Sequence, residues 1–249
     1  MKTFLFNILL SSAIAVPFIG IMSGCSDEDE NRFRPGSAQK PEPVTPEEGL
    51  DYTKLTAENH PRLLMNATDF TVLKDKISSN TSENLTLLHN TIIGLCNSKG
   101  MSSSALTYKL DASNKRILDV SREALLRIFT CAYAYRTTGD SKYLTHAEAD
   151  INAVCNFSDW NSKRHFLDVG EMATAVALGY DWLYNDLSET TRKKAADALL
   201  NFAFKPAQNK VWNLNFYTAT NNWNQVCNGG LVCGALATYE THPEEAKAM

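Results

Sequence analysis

The chain has 249 residues, of which 28 are acidic and 24 basic, for a net charge of −4; 44% are hydrophobic, 21% charged, and only 12 are Gly and 8 Pro. That balance excludes a collagen-like, a disordered and a multi-span membrane protein, and it offers no basic footprint for nucleic acid. A chain of this length can bury roughly 70% of its unfolded surface, so it reads as one domain or part of a larger one.

Residues 1–24 read as an export signal. Lys2 provides the positive start, Phe4 to Met22 is mostly apolar, and the small residues Ser23 and Gly24 precede Cys25. A membrane-spanning helix is the weaker alternative, because it wants about 20 apolar residues and this run contains Asn7, Ser11, Ser12 and Pro17. The end of the segment resembles a bacterial lipoprotein box, with Met22 standing where Leu is usual. The resemblance implies lipid on the Cys25 thiol and an anchor in the outer membrane. Ser26-Asp27-Glu28-Asp29-Glu30 resembles the acidic stretch that directs such lipoproteins to the cell surface. Residues 25–58 then carry Pro35, Pro41, Pro43 and Pro46 among acidic and polar neighbours, a composition too poor in aliphatic side chains to offset its ordering entropy. They are expected to form a flexible tether, followed by the folded domain over 59–249.

The folded part reads as helix after helix. Apolar residues return at three- and four-residue steps over Phe70 to Ile77, Asn84 to Cys96, Val120 to Tyr135, Lys142 to Cys155, Asp168 to Tyr184, a stretch opened by Ser188 as N-cap, and Gln225 to Tyr239. Gly139 suits a helix C-terminus. No stretch alternates with period two, so an all-α fold without a sheet is expected. The five cysteines beyond Cys25 (Cys96, Cys131, Cys155, Cys227 and Cys233) lie on apolar helical stretches and read as small buried hydrophobes, with no metal-ligand spacing and no cofactor implied. His60, His89, His146 and His242 have no evident partners and are expected at the surface.

Tyr135, Tyr184 and Tyr239 each end a long helix and precede a short polar turn, at intervals of roughly 50 residues. Such a period in a helical chain suggests stacked helical hairpins, as in a solenoid or an α/α toroid. Only a few such pairs fit, so the expected architecture is an incomplete α/α toroid. Pro243, Glu244 and Glu245 suit the start of one more helix, which Met249 cuts short; the sequence is therefore expected to be a truncated piece.

The chemistry is sought between helices, where Trp212-Asn213-Leu214-Asn215-Phe216-Tyr217 and Thr220-Asn221-Asn222-Trp223-Asn224-Gln225-Val226-Cys227-Asn228-Gly229-Gly230 combine amides with aromatic rings and no acid or base. Aromatic faces stack on sugar rings, and amides pair with hydroxyls and carboxylates. The same residues also read as an Asn-rich cap on a helix beginning near Gln225, with Trp223 in the core and Gly229-Gly230 permitting close packing. His165 and Glu171 flank the start of another helix and could face a cleft, or could be a surface residue and a helix-dipole partner.

The run from Asn221 to Gly230 resembles the heparinase II/III-like polysaccharide lyases, together with His165-Phe166-Leu167-Asp168-Val169-Gly170-Glu171-Met172, Gly179-Tyr180-Asp181-Trp182-Leu183-Tyr184 and His60-Pro61-Arg62-Leu63-Leu64. Members of that family have an α/α toroid followed by β-sandwich domains. The resemblance implies β-elimination at a uronic acid of an acidic, glycosaminoglycan-like polysaccharide, with Asn222 against the uronate carboxylate and Asn221, Trp223, Gln225, Tyr217, His165 and Glu171 binding substrate. Trp223 stands where several relatives carry a catalytic His, and the family's acid/base Tyr and sandwich-domain His fall beyond residue 249. A non-catalytic glycan-binding lipoprotein and an α/α-barrel glycoside hydrolase are the alternatives. The hydrolase would need two cleft carboxylates, for which Glu171 with Asp168 or Asp181 is a poor pair.

Overall fold

Most of the helices begin where the sequence supplies an acceptor for the first free backbone amides. In the computed structural model, which describes residues 51–209 and 215–249, helix α1 (Ala67–Ser78) opens on a reciprocal capping box between Asn66 and Asp69. Ser82 caps α2 (Glu83–Leu95), Asp140 caps α4 (Ser141–Cys155), and Ser188 caps α6 (Glu189–Leu199). Helix α3 (Leu118–Thr138) stops on Gly139 at φ 76°, a left-handed conformation that glycine adopts without a Cβ penalty. Helix α5 spans Phe166–Leu183, α7 spans Asn222–Thr238, and α8 (Pro243–Lys247) carries Pro at its first position. Two helices widen into a π turn: α2 through Cys96–Gly100, and α6 through Leu200–Phe204 into a last turn Lys205–Ala207.

Among the described residues there is no strand, as the missing two-residue alternation implies. Helix α7 starts one turn earlier than the sequence pattern indicates, because Asn221 rather than a later Asn takes the cap position. The chain divides after Lys54. Residues 51–54 contribute only the 3-10 turn Tyr52–Lys54, and everything that follows concerns residues 55–249. The export signal, Cys25 and most of the tether lie outside the described residues. Among those described, no helix is long and apolar enough to cross a membrane.

The long helices form two sets of opposite direction. Ser121 Oγ donates to Asp168 O at 2.9 Å near the starts of α3 and α5, and Tyr135 OH donates to Asp186 Oδ1 at 2.8 Å near their ends, so these two helices run together. Helix α7 follows the same direction: Trp223 lies against His165 at one end, and Glu240 accepts from Tyr180 OH at 3.2 Å at the other. Helices α4 and α6 form the return set, also running with each other, since Ser188 pairs with Glu148 and Thr191 with Asn152 one turn further on.

Helix α5 is central. Every one of its residues except Glu171 and Thr174 is buried, so the one-sided face legible in its sequence is wrapped on all sides. Small residues make this possible: a Cβ on Gly179 would lie 2.8 Å from Ile151 Cδ1, and one on Gly170 would lie 2.7 Å from Val226 O. The surrounding core includes Ile128, Ile151, Trp160, Met172, Leu199 and Phe204.

Two fully buried carboxylates sit near opposite ends of α5. Asp181 accepts from the backbone amides of Arg62 and Leu63 and from His60 Nδ1 at 2.6 Å, while Trp182 Nε1 donates to Leu63 O at 2.9 Å. His60 Nε2 meets Glu240 at 3.0 Å, Arg62 also pairs with Glu240, and the His60 ring stacks on Tyr184 at 4.0 Å. The expectation of a surface His60 is therefore wrong: it is 5% exposed and joins the segment before α1 to α5 and α7. Nor are the other three free at the surface. His89 contacts Tyr133 OH at 3.1 Å, His146 lies 3.6 Å from Asp150, and His242 lies 3.7 Å from Asp197. Histidine position along the chain says nothing about partners that arrive from distant helices.

Candidate functional site

The starts of α5 and α7 lie side by side, and this is where the residues singled out in the sequence converge. The close approach of the two helices around Gly170 sets their separation. One turn toward the helix starts, the rings of His165 and Trp223 are 4.6 Å apart and tilted by 45°. His165 is the cap residue of α5 but makes no capping hydrogen bond. Its Nδ1 is buried and lies 3.4 Å from Asp168 Oδ1, a close charge contact that falls short of a well-aligned hydrogen bond.

Asp168 organises this end. Its carboxylate is fully buried and accepts from Ile117 N at 2.8 Å, from Asn161 Nδ2 at 2.8 Å and from Arg116 at 3.3 to 3.4 Å. It thereby fixes the start of α3 as well as the His165 loop. Sequence reasoning named Asp168 only within the His165–Met172 motif and as a poor hydrolase carboxylate, and did not single out Arg116 or Asn161. No local pattern links them, since their sequence separations are set by tertiary packing.

Asn222 is exposed in the first turn of α7, and among the described residues no group bonds to its side-chain amide. Its neighbour Asn221 is committed to the backbone, where its Oδ1 accepts from Trp223 N at 3.1 Å and caps the helix. Asn224 Nδ2 donates to Phe216 O and Tyr217 O, fastening the 3-10 turn Asn215–Thr218 to α7. Phe216 is buried and stacks on Phe166 at 4.5 Å, so the turn is also anchored to α5. Tyr217 is 44% exposed, with its ring beside Phe216 and its hydroxyl donated to Ala207 O at 3.0 Å. Burial raises the pKa of that hydroxyl. Gln225 is exposed on the same helix. Glu171 is half-buried, 3.4 Å from Arg122 Nε, and Arg122 itself is mostly exposed. Trp212, Asn213 and Leu214 lie outside the described residues.

The structure thus gathers His165, Trp223, Asn221 and Asn222 at one end of the parallel set, with Glu171, Gln225 and Tyr217 on the adjoining turns. Asp181 belongs to the opposite end of α5 and is saturated by backbone amides. With Asp168 equally buried, neither aspartate offers Glu171 an exposed carboxylate partner, which argues against a two-carboxylate hydrolase site.

A cavity of about 280 Å³ lies beside the start of α3, lined by Lys109, Asp111, Arg116, Asp119, Val120 and Glu123. A larger one, about 460 Å³, lies on the return set between Cys155, Lys193, Lys194, Asn201 and Phe202, and none of the candidate substrate-binding residues lines it. The size of the second does not make it the site, because its one amide, Asn201, is already spent on Asp197 O and Lys205 Nζ. Among the described residues no group of three or more His, Cys, Asp or Glu is arranged to hold a metal ion. Neither a protein-family model nor a curated protein matches the chain.

Proposed function

We propose that residues 59–249 are the first part of the α/α toroid of a polysaccharide lyase of the heparinase II/III-like kind, exported and held at the outer membrane by lipid on Cys25. The parallel set α3, α5 and α7, with α4 and α6 returning, supports this reading, because a toroid of paired helices alternates direction in the same way. The observation that carries the functional reading is the exposed, uncommitted amide of Asn222 beside the Trp223–His165 pair.

The chemistry follows from what β-elimination needs. The C5 proton of a uronate is only weakly acidic while the adjacent carboxylate holds its charge. A neutral amide donating to that carboxylate stabilises the enolate-like species, an effect worth several kcal/mol when the donor is preorganised. Asn222 has this role. Trp223 and the exposed face of Tyr217 stack on sugar rings, Gln225 and Asn221 contact hydroxyls, and His165 and Glu171 line the approach. The Tyr217 hydroxyl is committed to Ala207 O, so proton transfer is assigned to the family's Tyr outside this chain. Once the C5 proton is removed, its electron pair forms the C4–C5 double bond and O4 departs with a proton from that acid.

The test is incubation of the protein carrying this chain and its following domains with uronate polymers. Elimination creates a conjugated double bond whose ultraviolet absorbance grows with time. Binding without any absorbance would favour the glycan-binding alternative, and new reducing ends without absorbance would favour hydrolysis.

A further inference from the structure

Helix α2 does not end as an ordinary α-helix. Its π turn, Cys96–Gly100, adds a residue to the turn and swings Cys96 toward α3. There the Cys96 and Cys131 sulfurs approach to 3.6 Å, and both residues are completely buried. Cys131 Sγ also lies 3.7 Å from Gly100 O and 3.8 Å from Met101 Sδ, so the π turn folds around it. A Cβ on Gly100 would collide with Thr130 Oγ1 and lie 3.7 Å from Cys131 Sγ, which shows how tightly this end of α2 is pressed onto α3.

The two thiols differ from the other three. Burial pushes Cys155 and Cys227 up to about 12 and Cys233 up to about 11, leaving them inert small apolar groups. At the pair, the hydrogen bond from Cys131 lowers the Cys96 thiol, while the same bond raises Cys131. The shared S···S hydrogen bond thus sets this pair apart from the three isolated cysteines.

We propose that Cys96 and Cys131 are a dithiol–disulfide pair, closed to a disulfide when the protein folds in an oxidising compartment. The Cys96 thiolate attacks a disulfide oxidant, giving a mixed disulfide and releasing one thiol. Cys131 then attacks the Cys96 sulfur and displaces the second thiol. Overall the pair loses two electrons and two protons, which reduce the oxidant disulfide to two thiols. The sulfurs close from 3.6 Å to about 2.05 Å, a movement within reach of small side-chain rotations. Over Glu83–Leu95 the only buried residue of α2 is Ile92, so local opening of this helix, which would give access to Cys96, breaks few core contacts. The bond would staple α2 to α3 across a loop of some 35 residues, and this inference is independent of the lyase reading.

The experiment refolds the 249-residue chain in a buffer of reduced and oxidised glutathione, blocks remaining thiols under denaturing conditions, and maps the peptides by mass spectrometry. The expected result is one cross-linked peptide joining Cys96 and Cys131, with Cys25, Cys155, Cys227 and Cys233 alkylated. Dithiothreitol should lower the Tm of the oxidised protein by roughly 4–16 °C. Cys131→Ala should abolish the cross-link, and Cys155→Ala should leave it. Because the wild-type chain is measured with and without reductant, a poorly folding variant does not decide the outcome. Full alkylation of both Cys96 and Cys131 after oxidative refolding, or a cross-link to a different cysteine, overturns the proposal.

Discussion

Gly230 of α7 packs directly on Gly170 of α5: a Cβ built on Gly230 would stand 2.8 Å from the Gly170 Cα, closer than real Cβ atoms come to any neighbour. The two helices touch backbone to backbone at this point, and their starts, carrying His165 and Trp223, are held in register by it.

Gly230→Ala should therefore cost about 1–3 kcal/mol, the usual penalty for overpacking a rigid core. The adjacent Gly229 provides the control, because a Cβ there meets nothing within 4 Å. Gly229→Ala should be neutral or stabilising by up to about 1 kcal/mol, since alanine is the better helix former. Urea midpoints of the two variants give the comparison, and equal effects would show that the close approach does not limit packing.

Asn221 and Asn222 should separate by phenotype. Asn221→Ala removes the acceptor for Trp223 N and should cost about 1 kcal/mol of stability. Asn222→Ala touches an exposed amide and should change stability by less than about 0.5 kcal/mol. On the proposed lyase reading, the same change should lower kcat on uronate polymers roughly 10²–10³-fold while leaving glycan binding nearly intact. Equal loss of binding and turnover would reduce Asn222 to a binding contact.

The His60–Asp181–Glu240 network should give stability a defined pH window. Burial opposes charging of His60, but the hydrogen bonds it donates to Asp181 and Glu240 outweigh it and leave the pKa raised. Its contribution is complete below the unfolded value near 6.5 and is lost as pH rises through the higher folded value. Glu240 behaves oppositely. Burial raises it, yet the bonds from His60 and Arg62 prevail and lower its pKa, so its contribution is present above about 4.5 and lost on acidification. Both are in place between about 4.5 and 6.5. Denaturation midpoints across pH should show this maximum, and His60→Gln should flatten its alkaline side.

Arg127 is 2% exposed and pairs with Asp150 at 2.6 Å, while donating to Ser104 O at 2.8 Å. Arg127→Met alone should cost about 3–5 kcal/mol, because Asp150 is left buried without its partner. Arg127→Met with Asp150→Leu should recover most of that, since a buried ion pair is often replaceable by apolar groups. Additive losses in the double variant would assign the pair a net stabilising role instead.

Helix positions, the caps Ser188 and Gly139 and the all-helical class were legible from the residues because they depend on neighbours within a turn; Asn66, Ser82 and Asp140 act just as locally but were not singled out in the sequence. The candidate site was legible only as a composition. Local pattern could not distinguish the capping role of Asn221 from the uncommitted amide of Asn222, nor foresee that Asn224 would be spent on the Phe216 and Tyr217 carbonyls.

Tertiary packing decided the rest. It buried His60 against residues more than a hundred positions away, made Asp168 the hinge of three segments, and brought Cys96 to Cys131. Helix periodicity fixes which residues share a face, but which faces meet depends on small residues such as Gly170, Gly179 and Gly230 admitting a neighbour closely enough for distant polar groups to pair.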